Sequence, residues 1–307
     1  MRNMPYLLLV FTVITFISAG AASIIYSPGI VREDDIQITA SFYPVYITAK
    51  KLLYGVDGVQ LNSLSEPQTG CLHDYVLSPQ DMKLLKESDA LLVNGGGMEV
   101  FLDDVISDCP KLTIIDTSKG LTNTIDDNSH YWMSISLYRN QVNIMADRLC
   151  SLLSGDLLAV EEIKSNRDSY ISEIDSLISD MSTVLPSLRG TPVILFHEAY
   201  EYVSQDYGLE TCIIIDLDEE RQVSANEVSE ALDTIRQKKV PIVLADKIYG
   251  RSLGELLSKE TPVDVIYLDT IVTSDDEYDS DGSANPSPYI TRMQQNINLI
   301  KQSLEQK

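Results

Sequence analysis

Short runs of β-branched and aliphatic residues alternate with amphipathic stretches along the chain after residue 35. In the first half, such runs predict strands at 36–40, 59–63, 90–94 and 112–116. The second half repeats the plan, with predicted strands at 193–196, 212–216, 242–245 and 263–268. Strands that alternate with helical patterns are typical of βα units around a mostly parallel sheet. The sequence therefore predicts an α/β fold with two (β/α) lobes.

Between the halves, apolar residues recur at steps of three or four from Val160 to Leu185, a spacing that predicts one long helix. A helix of about 28 residues would be about 42 Å long at 1.5 Å per residue. We therefore expect a stiff linker helix at 158–188, between an N-terminal lobe at 36–157 and a C-terminal lobe at 189–307. A stiff linker predicts limited closure of the lobes.

The first 31 residues predict a targeting or anchoring segment, because no charge occurs between Arg2 and Arg32 and the stretch from Leu7 to Ala22 is almost wholly apolar. A small-x-small pattern at Ala19 to Ala21 favours cleavage as a signal peptide. The apolar run continues to Tyr26, which favours a retained N-terminal anchor equally well. Both alternatives predict an extracytoplasmic protein, either periplasmic or at the cell surface.

Composition narrows the set of partners. The 307 residues carry 46 acidic and 23 basic side chains, a net charge of -23, which would repel nucleic acid.

Four cysteines in an exported chain permit up to two disulfides in three pairings, and the sequence does not choose among these. The acidic stretch 275–281 resembles the start of a calcium loop but lacks its bidentate acid, so we interpret it as a solvated loop.

The chain contains only three histidines, His73, His130 and His197. They lie 57 and 67 residues apart, too far for a local zinc knuckle. His197 directly follows a predicted strand, and ligands of open α/β sheets collect at the carboxyl ends of strands. Spacing alone does not establish that the three bind a common ligand.

The sequences around these histidines carry more information. The motifs are Gly70-Cys71-Leu72-His73-Asp74-Tyr75, Ser129-His130-Tyr131-Trp132, Phe196-His197-Glu198-Ala199-Tyr200 and Tyr267-Leu268-Asp269. Together they resemble the metal-specific solute-binding proteins of zinc and manganese ABC importers, from about residue 38 to the C-terminus. The resemblance implies two lobes joined by a rigid helix, a membrane permease as partner, and a monomer. It also implies metal ligation by His73 and His130 from the first lobe and by His197 and Asp269 from the second.

Three imidazole nitrogens and one carboxylate oxygen suit tetrahedral Zn²⁺, so zinc is the expected ion, and Mn²⁺ remains an alternative. Glu198 is either an additional oxygen ligand or an acid at a helix start. The chain departs from many relatives at Ser134-Ile135, where they have an Asp-Pro pair. Two other functions use the same residues: a zinc-dependent hydrolase with an open coordination position, and a surface adhesin or metal-buffering protein. The expectation is a binding protein rather than an enzyme.

Overall fold

A computed structural model describes residues 35–66, 72, 75–217, 223–274 and 287–305. The predicted signal peptide or anchor lies outside this part of the chain. Within the described part, no helix combines the length and the apolar character needed to cross a membrane. The residues from Ile36 onward form one compact unit.

The first lobe is built on a four-stranded parallel sheet with the strand order β2-β1-β3-β4. Its strands are β1 (Ile36–Ala40), β2 (Val59–Ser63), β3 (Ala90–Val93) and β4 (Thr113–Asp116), and the intervening helices are α1 (Tyr43–Leu52), α2 (Pro79–Glu87) and α3 (Leu102–Asp108). Ser78 begins α2 with the capping box that its sequence predicts. After β4 the chain forms a 3₁₀ turn (Tyr131–Met133) and then α4 (Ile135–Leu152).

The second lobe repeats this arrangement, with the strand order β6-β5-β7-β8. Its elements are β5 (Pro192–Leu195), α7 (Tyr200–Tyr207), β6 (Glu210–Ile214), α8 (Ala225–Lys238), β7 (Ile242–Asp246), α9 (Arg251–Glu260), β8 (Asp264–Leu268) and the C-terminal helix α10 (Pro288–Glu305). The predicted two-lobed α/β fold with parallel sheets is confirmed. Strand β6 begins two residues earlier than the sequence pattern indicates.

The linker between the lobes is shorter than the predicted 158–188. Helix α5 (Leu157–Ser182) has 26 residues, about 39 Å of helix, and a separate short helix α6 (Leu185–Leu188) follows it. Pro186 explains the break, because a proline ring clashes with the carbonyl four residues earlier, which here belongs to Ser182. The apolar spacing continues past this point and conceals the helix end.

A chain of buried hydroxyl groups joins the linker helix to three other helices. Tyr138 lies 2.7 Å from the Thr48 hydroxyl and 2.8 Å from the Tyr170 hydroxyl, and Tyr170 lies 2.8 Å from the hydroxyl of Ser287. The Tyr289 ring stacks on Tyr138 with 3.5 Å between centroids. Helices α1, α4 and α5 are thereby fixed to the start of α10, so the C-terminal helix contributes to the core of the first lobe.

Replacement of Tyr170 by Phe tests this chain. The variant removes a buried hydroxyl that bridges two others, so we expect a loss of about 1–3 kcal/mol in the free energy of unfolding, measured by urea denaturation. Tyr54→Phe is the control, because Tyr54 is 59% exposed and its loss should change stability by less than about 0.5 kcal/mol. Equal midpoints for Tyr170→Phe and the unmodified protein would contradict the structural role.

Candidate metal centre

Three of the four predicted metal ligands lie in the described part of the chain, whereas His73 lies outside it. His130 is fully buried and directly precedes the 3₁₀ turn that leads into α4. His197 is 3% exposed and lies between β5 and α7. The two rings meet edge to face with centroids 4.9 Å apart. The structure therefore brings together one predicted ligand from each lobe.

Asn128 determines which nitrogen of His130 carries the proton. The Asn128 amide nitrogen donates to the Glu198 carbonyl (2.9 Å) and to the carboxylate of Glu201 (3.0 Å), which fixes the orientation of the amide. Its oxygen therefore faces His130, where it lies 3.0 Å from Nδ1 and accepts the backbone N–H at 3.1 Å. Because Oδ1 can only accept, Nδ1 is the protonated nitrogen and the lone pair is on Nε2. This tautomer is the one that binds a metal through Nε2.

Carboxylates lie beside the Nδ1 atoms of both rings. The His197 Nδ1 is 3.3 Å from Asp216 Oδ1, just after β6. The His130 Nδ1 is 3.5 Å from Glu198 Oε1. The Asp216 carboxylate lies close to His197, but the His197 Nδ1 and Asp216 Oδ1 atoms form no hydrogen bond with each other. Glu198 thus lies on the Nδ1 side of His130, the side that faces away from the metal-binding nitrogen.

Asp269 follows β8 and is engaged by two basic side chains. Its Oδ1 accepts from the Ile271 N–H (2.8 Å) and from Arg292 Nη2 (2.6 Å), and its Oδ2 accepts from Arg292 Nε (2.9 Å) and Lys247 Nζ (3.1 Å). Burial raises the pKa of Asp269, but the hydrogen bonds and charge of Arg292, together with Lys247, hold it below its usual value. These four contacts match the roughly four acceptor positions of a carboxylate.

No group of three histidine, cysteine or acidic side chains that could hold a metal ion is found in the part of the chain that the structure describes. The histidine pair is assembled, while Asp269 is paired with Arg292. A shared neighbour connects the two places: the Trp132 ring lies 5.2 Å from the His130 ring, and its indole N–H donates to the Thr270 carbonyl at 2.8 Å.

Sequence reasoning did not identify four side chains that support this site, Asn128, Asp216, Lys247 and Arg292. Only Asn128 lies near a ligand in the sequence, two residues before His130, and its position is the one signal that was available. Among the cysteines, Cys109, Cys150 and Cys212 are free thiols, and Cys71 lies outside the described residues.

The buried acid Glu99 stabilises the loop before His130 through hydrogen bonds to Asn94 and Gly95. Glu99 accepts hydrogen bonds from the Ser41 hydroxyl (2.8 Å) and from the backbone N–H groups of Asn94 (2.8 Å) and Gly95 (3.0 Å). The Asn94 amide in turn donates to the carbonyl of Ser129 at 2.8 Å. Burial raises the pKa of Glu99 to about 7, although these hydrogen bonds oppose the shift.

Similar proteins indicate the family to which this chain belongs. A family model described as "Zinc-uptake complex component A periplasmic" matches residues 38–303. The chain belongs to this family. The zinc-uptake component A family consists of metal-binding solute-binding proteins of ABC importers, so the resemblance that the four motifs carry is confirmed.

Relatives in this family differ in the metal that their names give. The manganese-binding lipoprotein MntA of Halalkalibacterium halodurans is 22% identical over 76% of this chain and 78% of its own length. The iron-binding protein YfeA of Yersinia pestis is 23% identical over 99% of this chain and 98% of its own. Among solved structures, the Zn(II)-bound ZnuA-like domain of Streptococcus pneumoniae AdcA matches with a TM-score of 0.74 and 21% identity, over 88% of this chain and 99% of that domain. Family membership therefore does not determine the metal.

The raised pKa of Glu99 predicts a pH-dependent stability. Between the ordinary value of 4.5 and about 7, the folded state binds more protons than the unfolded state, so stability falls as the pH rises through this window. At about 1.4 kcal/mol per pKa unit, the loss is on the order of 3 kcal/mol. Urea unfolding at pH 5 and pH 8 should therefore show a larger loss for the unmodified protein than for Glu99→Gln.

The exposed acid Glu87 provides the matched control, and Glu87→Gln should retain the unmodified pH dependence. If Glu99→Gln lost as much stability between pH 5 and pH 8 as the unmodified protein, Glu99 would not titrate in this window.

Proposed function

We propose that this protein is an extracytoplasmic solute-binding protein that captures a divalent metal ion, preferably zinc, between its lobes and delivers it to the permease of an ABC importer. The observation that carries the proposal is the buried pair of His130 and His197, contributed by opposite lobes with centroids 4.9 Å apart. Residues 1–31 would direct export or anchor the protein to the membrane on its extracytoplasmic side. We expect the protein to act as a monomer.

The orientation of the histidines supports a metal as the ligand. An oxygen atom lies within 3.5 Å of Nδ1 on each ring, and for His130 the Asn128 amide leaves the lone pair on Nε2. Imidazole nitrogen with a carboxylate behind it is a typical environment of zinc sites. His73, the chain's remaining histidine, is our proposal for the third nitrogen ligand. Three neutral nitrogens suit Zn²⁺ better than Mn²⁺, which favours oxygen.

The role of Asp269 in this proposal is conditional. Its acceptor positions are filled by Ile271, Arg292 and Lys247, so a metal bond requires the loss of one contact. Lys247 is the contact most easily lost, because its side chain is 41% exposed whereas that of Arg292 is 4% exposed. We infer that Asp269 enters the coordination shell by exchanging the Lys247 ammonium for the metal ion.

Contacts between the lobes support capture without large domain motion. Tyr202 of α7 donates to the Asn128 carbonyl (2.8 Å) and accepts from the Ile125 N–H (3.1 Å). Such buried bonds would have to break during a wide opening, so we infer that the ion enters a cleft that is largely formed beforehand.

Direct titration tests the proposal. Zinc added to chelator-treated protein should bind at one ion per chain and change the fluorescence of Trp132, which lies 5.2 Å from the His130 ring. At a thousandfold excess over the dissociation constant, zinc should raise the free energy of unfolding by about 4 kcal/mol. His197→Ala should abolish most of this gain, whereas Glu87→Gln should keep it. An equal gain in His197→Ala would refute the site, and turnover of an ester substrate would support the hydrolase instead.

Lys247→Met tests the conditional role of Asp269. Removal of the competing ammonium should tighten zinc binding by roughly two- to tenfold, because the exposed ion pair no longer has to be broken and a repelling charge is gone. Asp269→Asn should weaken binding, and Lys247→Met should then tighten it by less than it does in the unmodified protein. If Lys247→Met alone left the affinity unchanged, Asp269 would remain with Arg292 outside the coordination shell.

A further inference from the structure

The helix that continues from the His130 turn lacks an acid at its start. Helix α4 begins after Ser134, whose side chain accepts from the Leu137 N–H at 3.3 Å, and no acidic residue occurs in its first turn. The N-terminus of a helix carries about half a positive charge from its aligned peptide groups. This positive end lies four residues after His130, where it disfavours a cation.

An acid from the second lobe, Asp206, lies at the start of α4. Asp206 lies near the end of α7, the helix that follows His197, and its Oδ1 accepts from the Ser134 hydroxyl at 3.1 Å. Its Oδ2 is buried and has no hydrogen-bond partner among the described residues. The carboxylate is thus directed at the start of α4 rather than at solvent.

Asp206 lies at one end of a continuous interlobe seam, formed by residues 125–134 against helix α7. Within the seam, the Asn128 amide donates to Glu198 and Glu201, and the Tyr131 and Tyr202 rings lie 6.0 Å apart. The seam ends where Ser134 contacts Asp206. The segment that contains His130 and the helix that follows His197 therefore run side by side.

The carboxylate is retained in an unfavourable environment. Burial raises the pKa of Asp206 to about 6, although the Ser134 hydroxyl and the Ile135 backbone amide lower it. The groups packed around it include the phenols of Tyr207 and Tyr289, whose pKa values its charge helps to raise. A neutral side chain would avoid this penalty, so the charge itself is the feature that needs an explanation.

We propose that Asp206 is a positioning residue for metal binding. It supplies from the second lobe the negative charge that the start of α4 lacks, and it ties the His130 segment to the helix that follows His197. The inference rests on the proposed function. Asp206 does not touch the ion. It acts through Ser134 and the helix terminus, which it makes compatible with a divalent cation at the histidine pair.

Zinc affinity at pH 7.5, measured by competition with a chromophoric chelator, tests the role of Asp206. Asp206→Asn keeps the shape and an acceptor for Ser134 but removes the charge, so it should weaken zinc binding by roughly five- to thirtyfold without lowering the melting temperature of the metal-free protein. Ser134→Asp added to Asp206→Asn places the acid at the start of α4 and should restore the affinity to within about threefold.

Two further variants sharpen the test. Asp180→Asn removes an exposed acid in the last turn of α5 and controls for the change in net charge. The double variant Ser134→Asp with Asp206→Ser moves the acid from α7 to the start of α4. It tests the role of the charge even if Asp206→Asn does not fold. It should bind zinc nearly as tightly as the unmodified protein.

The outcomes separate the two proposals. No zinc binding by the unmodified protein would refute the proposed function. Normal zinc binding by both the unmodified protein and Asp206→Asn would refute the role of Asp206 alone. A weakened Asp206→Asn whose affinity Ser134→Asp fails to restore would also overturn the inference, because the charge at the helix start would not be the cause.

Discussion

The meeting of His130 and His197 is the constraint on which the other features of this protein depend. Each imidazole belongs to a different lobe, and their centroids are only 4.9 Å apart. Nitrogen ligands must lie within about 0.2 Å of their required distance to hold a metal. The positions of the two lobes must therefore be fixed closely, and the linker helix, the tyrosine hydroxyls and the interlobe seam all serve this requirement.

The charges around the histidine pair are arranged in layers. The oxygens of Asn128, Glu198 and Asp216 lie near the Nδ1 atoms of the two imidazoles. The carboxylate of Asp269 is balanced by Arg292 and Lys247. The metal site that we propose would attract a dication mainly through imidazole nitrogens, an arrangement that suits the proposed release of the ion to a permease. A cage of several free carboxylates would bind hard cations such as Ca²⁺ more readily.

Local signals in the sequence predicted much of the fold. Ser78 and Ser224 each form a capping box with the acid three positions later, at the starts of α2 and α8, so the chemistry of both helix starts is readable from a short window. The apolar period of the linker is equally local, but it conceals the helix end, because Leu185 keeps the spacing while Pro186 breaks the backbone hydrogen bonding. The histidines could be identified because the chain has only three and each lies in a distinctive motif.

The interactions that complete the site were not predictable in this way. Asp269 and Arg292 are 23 residues apart, and Ser134 and Asp206 are 72 apart, with no periodicity that relates them. A free carboxylate and a paired one have the same appearance in a sequence. Only the packing of α10 against β8 shows that Arg292 reaches Asp269.

The hydroxyl chain from Thr48 to Ser287 also has a consequence for how the protein forms. Tyr289, in the last helix, stacks on Tyr138 in the first lobe, so residues separated by half the chain share one core. Pairings over such sequence distances form late and slowly. The first lobe therefore stays incompletely packed until the final helix has been synthesised. For the exported protein that we propose, late folding would keep the chain unfolded enough to pass through a translocation channel.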